Sequence, residues 1–202
     1  MRKSVCRYGI QCLADLGAGT GAGTVALAAR FTGARIHALD ASATMIERIL
    51  APAVASGVST QVETHLVDLD GDWPSVAPDG ADIAWASLSL HHTSNPARVL
   101  QQVFDLLRPG GVAVVTEFTG ATRYSPTDLG TTSEGLGERI VAALAAQGYP
   151  VTADWAPQLA AAGFGPIERH ESFVTVSAAT SVGARFLELH LTRSRELLRP
   201  PA

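Results

Sequence analysis

The chain has 202 residues, 47% of them hydrophobic and 17% charged, which suits one well-cored domain and excludes a disordered tail. With a net charge of −4 and scattered basic residues it lacks the positive patch a nucleic-acid binder uses, and no apolar run approaches the ~20 residues that span a bilayer. Two cysteines, Cys6 and Cys12, are too few for a disulfide framework, and no secretory h-region precedes the first motif, so a reduced, cytoplasmic setting is expected.

Short apolar runs alternate with helical patterns over the first 118 residues, the βαβ signature of a parallel sheet covered by helices. Gln11–Leu16 reads as the first strand, Gly21–Phe31 as a helix and Ala34–Leu39 as the second strand. Ser42 is a plausible N-cap for a helix whose buried stripe is Met45, Ile46, Ile49 and Leu50, closed by Pro52 and Gly57. The third strand is Val62–Val67 and the fourth Ala81–Leu90. Asn95 caps the next helix, with Pro96 at its first position. Val99, Leu100, Val103, Leu106 and Leu107 form its apolar face. Pro109-Gly110-Gly111 then turns the chain into a fifth strand, Val112–Phe118. Residues 119–137 read as a loop long enough to be functional. Glu138–Gln147 is a short helix, and Thr152 caps another that runs to Ala162, with Gly163 as its stop. Pro166–Ala178 reads as a sixth strand. Ser181–Leu198 is a final helix, its apolar face made of Phe186, Leu187, Leu191, Leu197 and Leu198.

The chemistry concentrates at strand ends. Asp15-Leu16-Gly17-Ala18-Gly19-Thr20-Gly21 is a glycine-rich strand-to-helix turn that lets a ligand approach the backbone. Gly17, Gly19 and Ala22 also satisfy a dinucleotide-type Gly-x-Gly-x-x-Gly/Ala pattern, but the Asp15 carboxylate disfavours a pyrophosphate and favours a cationic amino or sulfonium group. Asp40, ending the second strand, is placed to accept from ribose hydroxyls. Val67-Asp68-Leu69-Asp70, at the end of the third strand, offers an acidic side chain that can accept from an adenine amino group.

In this order and spacing the motifs resemble those of the class I S-adenosylmethionine-dependent methyltransferases, over about Gln11–Phe118. The resemblance implies a doubly wound, Rossmann-like α/β fold with a mostly parallel sheet and helices on both faces. Its strand order would be 3-2-1-4-5 and then 6, the usual seventh strand being absent here. It implies a single domain over residues 1–202, with a cofactor-binding core at 11–118 and substrate-side elements at 119–202. It implies S-adenosylmethionine as cofactor, S-adenosylhomocysteine as product, and Asp15, Gly17, Ala18, Gly19, Gly21, Asp40, Ala41, Asp68, Leu69 and Ser87 as cofactor contacts. Ser87-Leu88-Ser89-Leu90-His91-His92 looks most like the branch that methylates small molecules. About ten residues precede the first strand, so the family's N-terminal lid helices are missing, and a homodimer is the expected remedy for the exposed edge.

Methyl transfer is an in-line displacement that depends mostly on orientation, with a general base for some acceptors. His91, His92 and Glu117 follow strands four and five, where open α/β sheets bind ligands, and are the catalytic candidates. Arg123 and Tyr124 are further loop candidates, Trp73 is a possible adenine cover, and Trp85 reads as core. His37, His65 and His170 stand alone in strands, so no metal site is expected. The competing readings are a non-catalytic methyltransferase-like subunit and an NAD(P)-binding Rossmann protein.

Overall fold

In the computed structural model, which describes residues 9–149 and 152–199, five strands form one sheet. They are β1 (Cys12–Leu16), β2 (Arg35–Asp40), β3 (Val62–Leu66), β4 (Ala81–Ser87) and β5 (Leu107–Thr116). The order is β3-β2-β1-β4-β5, and every pairing is parallel. Parallel neighbours require crossovers. Three are helical: α1 (Ala22–Arg30), α2 (Ala43–Ala55) and α3 (Pro96–Leu106). Cys6 lies outside the described residues, and Cys12 is buried as a free thiol.

β1 is central and buried at all five positions, so it reads as a nearly continuous apolar run. On one face Leu13 and Ile36 pack with Ala28, Ala53 and Val58 beneath α1 and α2. On the other, Ala14, Leu16, Leu39 and Ala84 meet Trp73 and the Val99, Leu100, Val103 and Leu106 face of α3. The caps fall where expected. Ser42 Oγ accepts from Met45 N at 3.4 Å, and Asn95 Oδ1 accepts from Arg98 N at 3.1 Å behind Pro96.

Several expectations need correction. Leu50 is 61% exposed, because its position on α2 turns away from the Ile49 side. Pro52 does not end α2, which runs on to Ala55. β4 stops at Ser87, and a 3-10 turn covers Leu90–His92. β5 starts at Leu107, and Pro109-Gly110-Gly111 is an irregular excursion inside it, since Ala81 pairs with Leu107 and Ile83 with Val112. Pro166–Ala178 is not a strand. Phe173 and Val174 are 92% and 87% exposed, and its charged residues pair locally, Arg169 with Glu171 and His170 with Glu168. β propensity reflects fit to a half-buried, packed surface, and the exposed side chains of this segment have none.

The chain separates into two compact units: residues up to Glu117 with Ala153–Ile167, and Phe118–Thr152 with Glu168 onward. The first holds the sheet and α5 (Trp155–Ala161), which is capped by Asp154 Oδ1 rather than by Thr152. In the second, α4 (Leu136–Ala145) packs with α6 (Ser181–Leu197). Leu187, Leu191, Leu197 and Leu198 of the expected apolar face are half-buried, whereas Phe186 is 52% exposed. No helix among the described residues is long and apolar enough to cross a membrane.

Candidate functional site

The glycine loop joins β1 to α1. Gly17, Gly19 and Gly21 have φ of +71°, +55° and +85°, a left-handed region that strains any side-chain-bearing residue. A Cβ on Gly17 would lie 2.4 Å from Ser89 Cβ, whereas one on Gly19 would meet nothing within 4 Å. Gly17 is therefore packed against the segment after β4, and Gly19 faces open space. Gly17 N and Ala18 N both donate to Leu39 O at 2.9 Å, which ties the loop to the end of β2.

Asp15 is only 3% exposed. Its Oδ2 accepts the Thr24 hydroxyl of α1 at 2.6 Å. Burial pushes its carboxyl up to about 6, opposed by the Thr24 hydrogen bond and helped by the Asp40 charge. Close by, Trp85 Nε1 is a buried donor without a partner among the described residues. The Asp15 carboxylate is thus turned onto α1. Sequence reasoning missed Thr24. Its signal is the helical spacing of Gly21, Thr24 and Ala28 on the face towards the sheet.

Asp40 does what a strand-end carboxylate does best. Oδ2 accepts from Gly19 N at 2.9 Å and Oδ1 from Ser42 N at 2.8 Å. Each oxygen keeps a further lone pair for a ligand hydroxyl. Ala41, between Asp40 and Ser42, is exposed. Val67 N donates to Asp40 O at 3.0 Å, which sets Asp68 beside this edge. Asp68 is exposed, and its Oδ1 accepts from Asp70 N at 2.9 Å. Leu69 packs into the core. Its carbonyl takes the Trp73 indole N–H at 3.1 Å, and Trp73 is 1% exposed, so it is a core residue and not a cover for a ligand. Asp70, also missed, holds Ser94 N and Asn95 N at the start of α3, and these hydrogen bonds lower its pKa.

Across β1 a second carboxylate organises a second turn. Ser87 ends β4 opposite Thr116, and Leu88 N donates to Thr116 O at 2.8 Å. Glu117 Oε1 then accepts from Ser89 N at 3.1 Å and Leu90 N at 2.9 Å. Its Oε2 lies 2.7 Å from His91 Nδ1, the two side chains being 3% and 8% exposed. With Glu117 as a carboxylate, this contact puts a proton on His91 Nδ1. The His92 ring lies 4.1 Å from that of His91. Ser89 Oγ, missed from sequence, is buried without a partner among the described residues. Arg123 and Tyr124 belong to the second unit.

Two predictions follow from this geometry. Gly17→Ala lowers the melting temperature further than Gly19→Ala, because both incur the ~1–2 kcal/mol left-handed penalty but only the first collides with Ser89; equal losses by thermal denaturation would contradict the packing. Asp15 holds its proton up to about 6 in the native chain against 3.8 ordinarily, so the native state binds more protons between these values. Wild-type stability relative to Asp15→Asn therefore falls by roughly 3 kcal/mol in all as pH rises from about 3 to about 7. Urea unfolding at each pH measures this, and a difference that does not change with pH would refute it.

Residues 14–113 match a family described as a methyltransferase domain. A dimethylglycine N-methyltransferase of Parasynechococcus marenigrum is 34% identical over 106 residues, covering 52% of this chain and 37% of that protein. A carboxy-S-adenosyl-L-methionine synthase of Aeromonas hydrophila is 36% identical over 109 residues, covering 52% and 42%. Among solved structures, the mitomycin 7-O-methyltransferase MmcR aligns with a TM-score of 0.49 at 21% identity, over 59% of this chain and 34% of that one. The chain spans about two fifths of the length of the curated relatives it matches. Residues 14–113, which hold the glycine loop, Asp40 and the strand-order reversal at β1, belong to the class I S-adenosylmethionine-dependent methyltransferase family.

Proposed function

We propose that the chain binds S-adenosylmethionine at the carboxyl ends of β1, β2 and β3 and catalyses methyl transfer to a small-molecule acceptor, with S-adenosylhomocysteine as product. The observation that carries this reading is the Asp40 bridge from Gly19 to Ser42. It ties the loop after β1, the strand at which strand order reverses, to the carboxyl end of β2, and such switch points are where open α/β sheets bind ligands. Features of the site fit the cofactor: the open space at Gly19, where a Cβ would meet nothing within 4 Å, and Ser89 Oγ, buried without a partner among the described residues. When bound, the cofactor supplies a methyl group on a cationic sulfur.

The chain's own residues bind and orient. The Gly17–Gly21 backbone lies against the amino-acid end, Asp40 accepts from the ribose hydroxyls and Asp68 from the adenine amino group. Asp15 acts through the loop, by holding Thr24 and the start of α1 in place. His91 Nε2 accepts the proton an acceptor hydroxyl or amine must lose, and Glu117 is a positioning residue that sets the tautomer and the turn. A relative named for dimethylglycine supports an acceptor of small size.

The protein incubated with methyl-labelled cofactor, dimethylglycine and a set of small amines and carboxylic acids is expected to label at least one of them. His91→Ala slows that transfer by roughly 10²–10⁴-fold without changing S-adenosylhomocysteine affinity. Binding without transfer to any acceptor contradicts the enzymatic reading, and full activity in His91→Ala removes His91 from the mechanism.

A further inference from the structure

β2 and β3 run parallel, with His37 opposite Glu63 and Leu39 opposite His65. Side chains alternate along a strand, so His37, Glu63 and His65 stand on one face of the sheet. Parity puts them on the face opposite to that of the Asp40 side chain. His37 Nδ1 lies 2.9 Å from His65 Nε2 and 3.5 Å from Glu63 Oε2. One ligand atom from each of the three residues lies within 4.8 Å of the others.

These separations suit a single ion. Two nitrogens bound to zinc at ~2.0–2.1 Å stand about 2.9 Å apart at a right angle and about 3.4 Å apart at the tetrahedral angle. Glu63 Oε1 is held by Arg35 Nε at 3.2 Å, which leaves Oε2 on the histidine side. His37 is buried, His65 half-buried and Glu63 exposed. The set therefore has an anchored inner ligand and an open outer side. A cleft of about 400 Å³ at the amino ends of the strands borders His37 and Arg35. Burial lowers the pKa of both imidazoles, with Glu63 opposing in each case.

We propose that His37 Nδ1, Glu63 Oε2 and His65 Nε2 form a binding site for a first-row divalent transition metal, zinc above all, with water in the remaining position. Two imidazoles and a carboxylate match that class of ion, whereas calcium and magnesium prefer all-oxygen sets. The ion staples edge strand β3 to β2 and so steadies the strand whose end carries Asp68. Arg35 opposes it twice, by its own positive charge and by occupying Glu63 Oε1. The site does not depend on the methyl-transfer reading.

The test uses the full chain, free of affinity tag and stripped of metal, titrated with zinc chloride in competition with a chromophoric chelator. Variants are chosen at exposed or half-buried positions so that folding, checked by circular dichroism, survives. One zinc per chain is expected, with a rise in melting temperature on binding. His65→Ala and Glu63→Gln weaken binding by roughly tenfold or more, and Arg35→Ala tightens it. No stoichiometric binding by wild type would overturn the proposal, and so would undiminished affinity in folded His65→Ala, which would put the ion elsewhere on the chain.

Discussion

Both oxygens of the Asp40 carboxylate accept backbone N–H groups, one from Gly19 in the loop after β1 and one from Ser42 at the start of α2. A loop on three left-handed glycines has little side-chain packing to hold it and much backbone entropy to lose. Charge-assisted hydrogen bonds, about twice as strong as neutral ones, and the paired amides of Gly17 and Ala18 on Leu39 O fix its shape. The space in front of Gly19 exists because those bonds hold the loop back against the end of β2.

The same device recurs around the sheet. Glu117 takes Ser89 N and Leu90 N, Asp70 takes Ser94 N and Asn95 N, and Asp82 takes Gln11 N and Cys12 N. Each carboxylate satisfies two amides that the strand ladders and helices leave over. At Glu117 the arrangement carries a further consequence, because its other oxygen also holds His91. One residue thereby shapes the turn after β4 and fixes the His91 ring beside it. At Asp82 the balance includes Arg108 Nη1 at 2.9 Å, and the amides of Gln11 and Cys12 with Arg108 hold its carboxyl below the usual range against the cost of burial.

The five strands and the residues at their ends were legible because both leave local marks: apolar runs of strand length, Ser42 and Asn95 as caps, glycines where φ is positive; the order of the strands came only with the family resemblance. Asp40 and the Gly17–Gly21 loop fall within that reach. Interactions set by register were not legible. Nothing near Thr24 announces Asp15 as its partner, and 28 residues separate His37 from His65, so the histidines read as isolated until parallel pairing set them side by side. The expected strand over Pro166–Ala178 failed for the converse reason. Its composition favours extended backbone, yet propensity makes a strand only where side chains pack on a half-buried face, and Phe173 and Val174 stay exposed. Leu50 shows the limit within one helix: adjacent apolar residues at Ile49 and Leu50 look like one stripe, but a turn of about 100° per residue leaves Leu50 61% exposed.

The role of Asp40 is tested most directly by isothermal titration of wild-type protein and Asp40→Ala with S-adenosylhomocysteine, and with NADH as the contrasting nucleotide. Micromolar binding of S-adenosylhomocysteine by wild type, its loss in a folded Asp40→Ala, and no comparable binding of NADH are expected. Affinity untouched by the substitution, or a folded wild type that prefers NADH or binds neither ligand, would contradict the assignment of this strand end as the cofactor site.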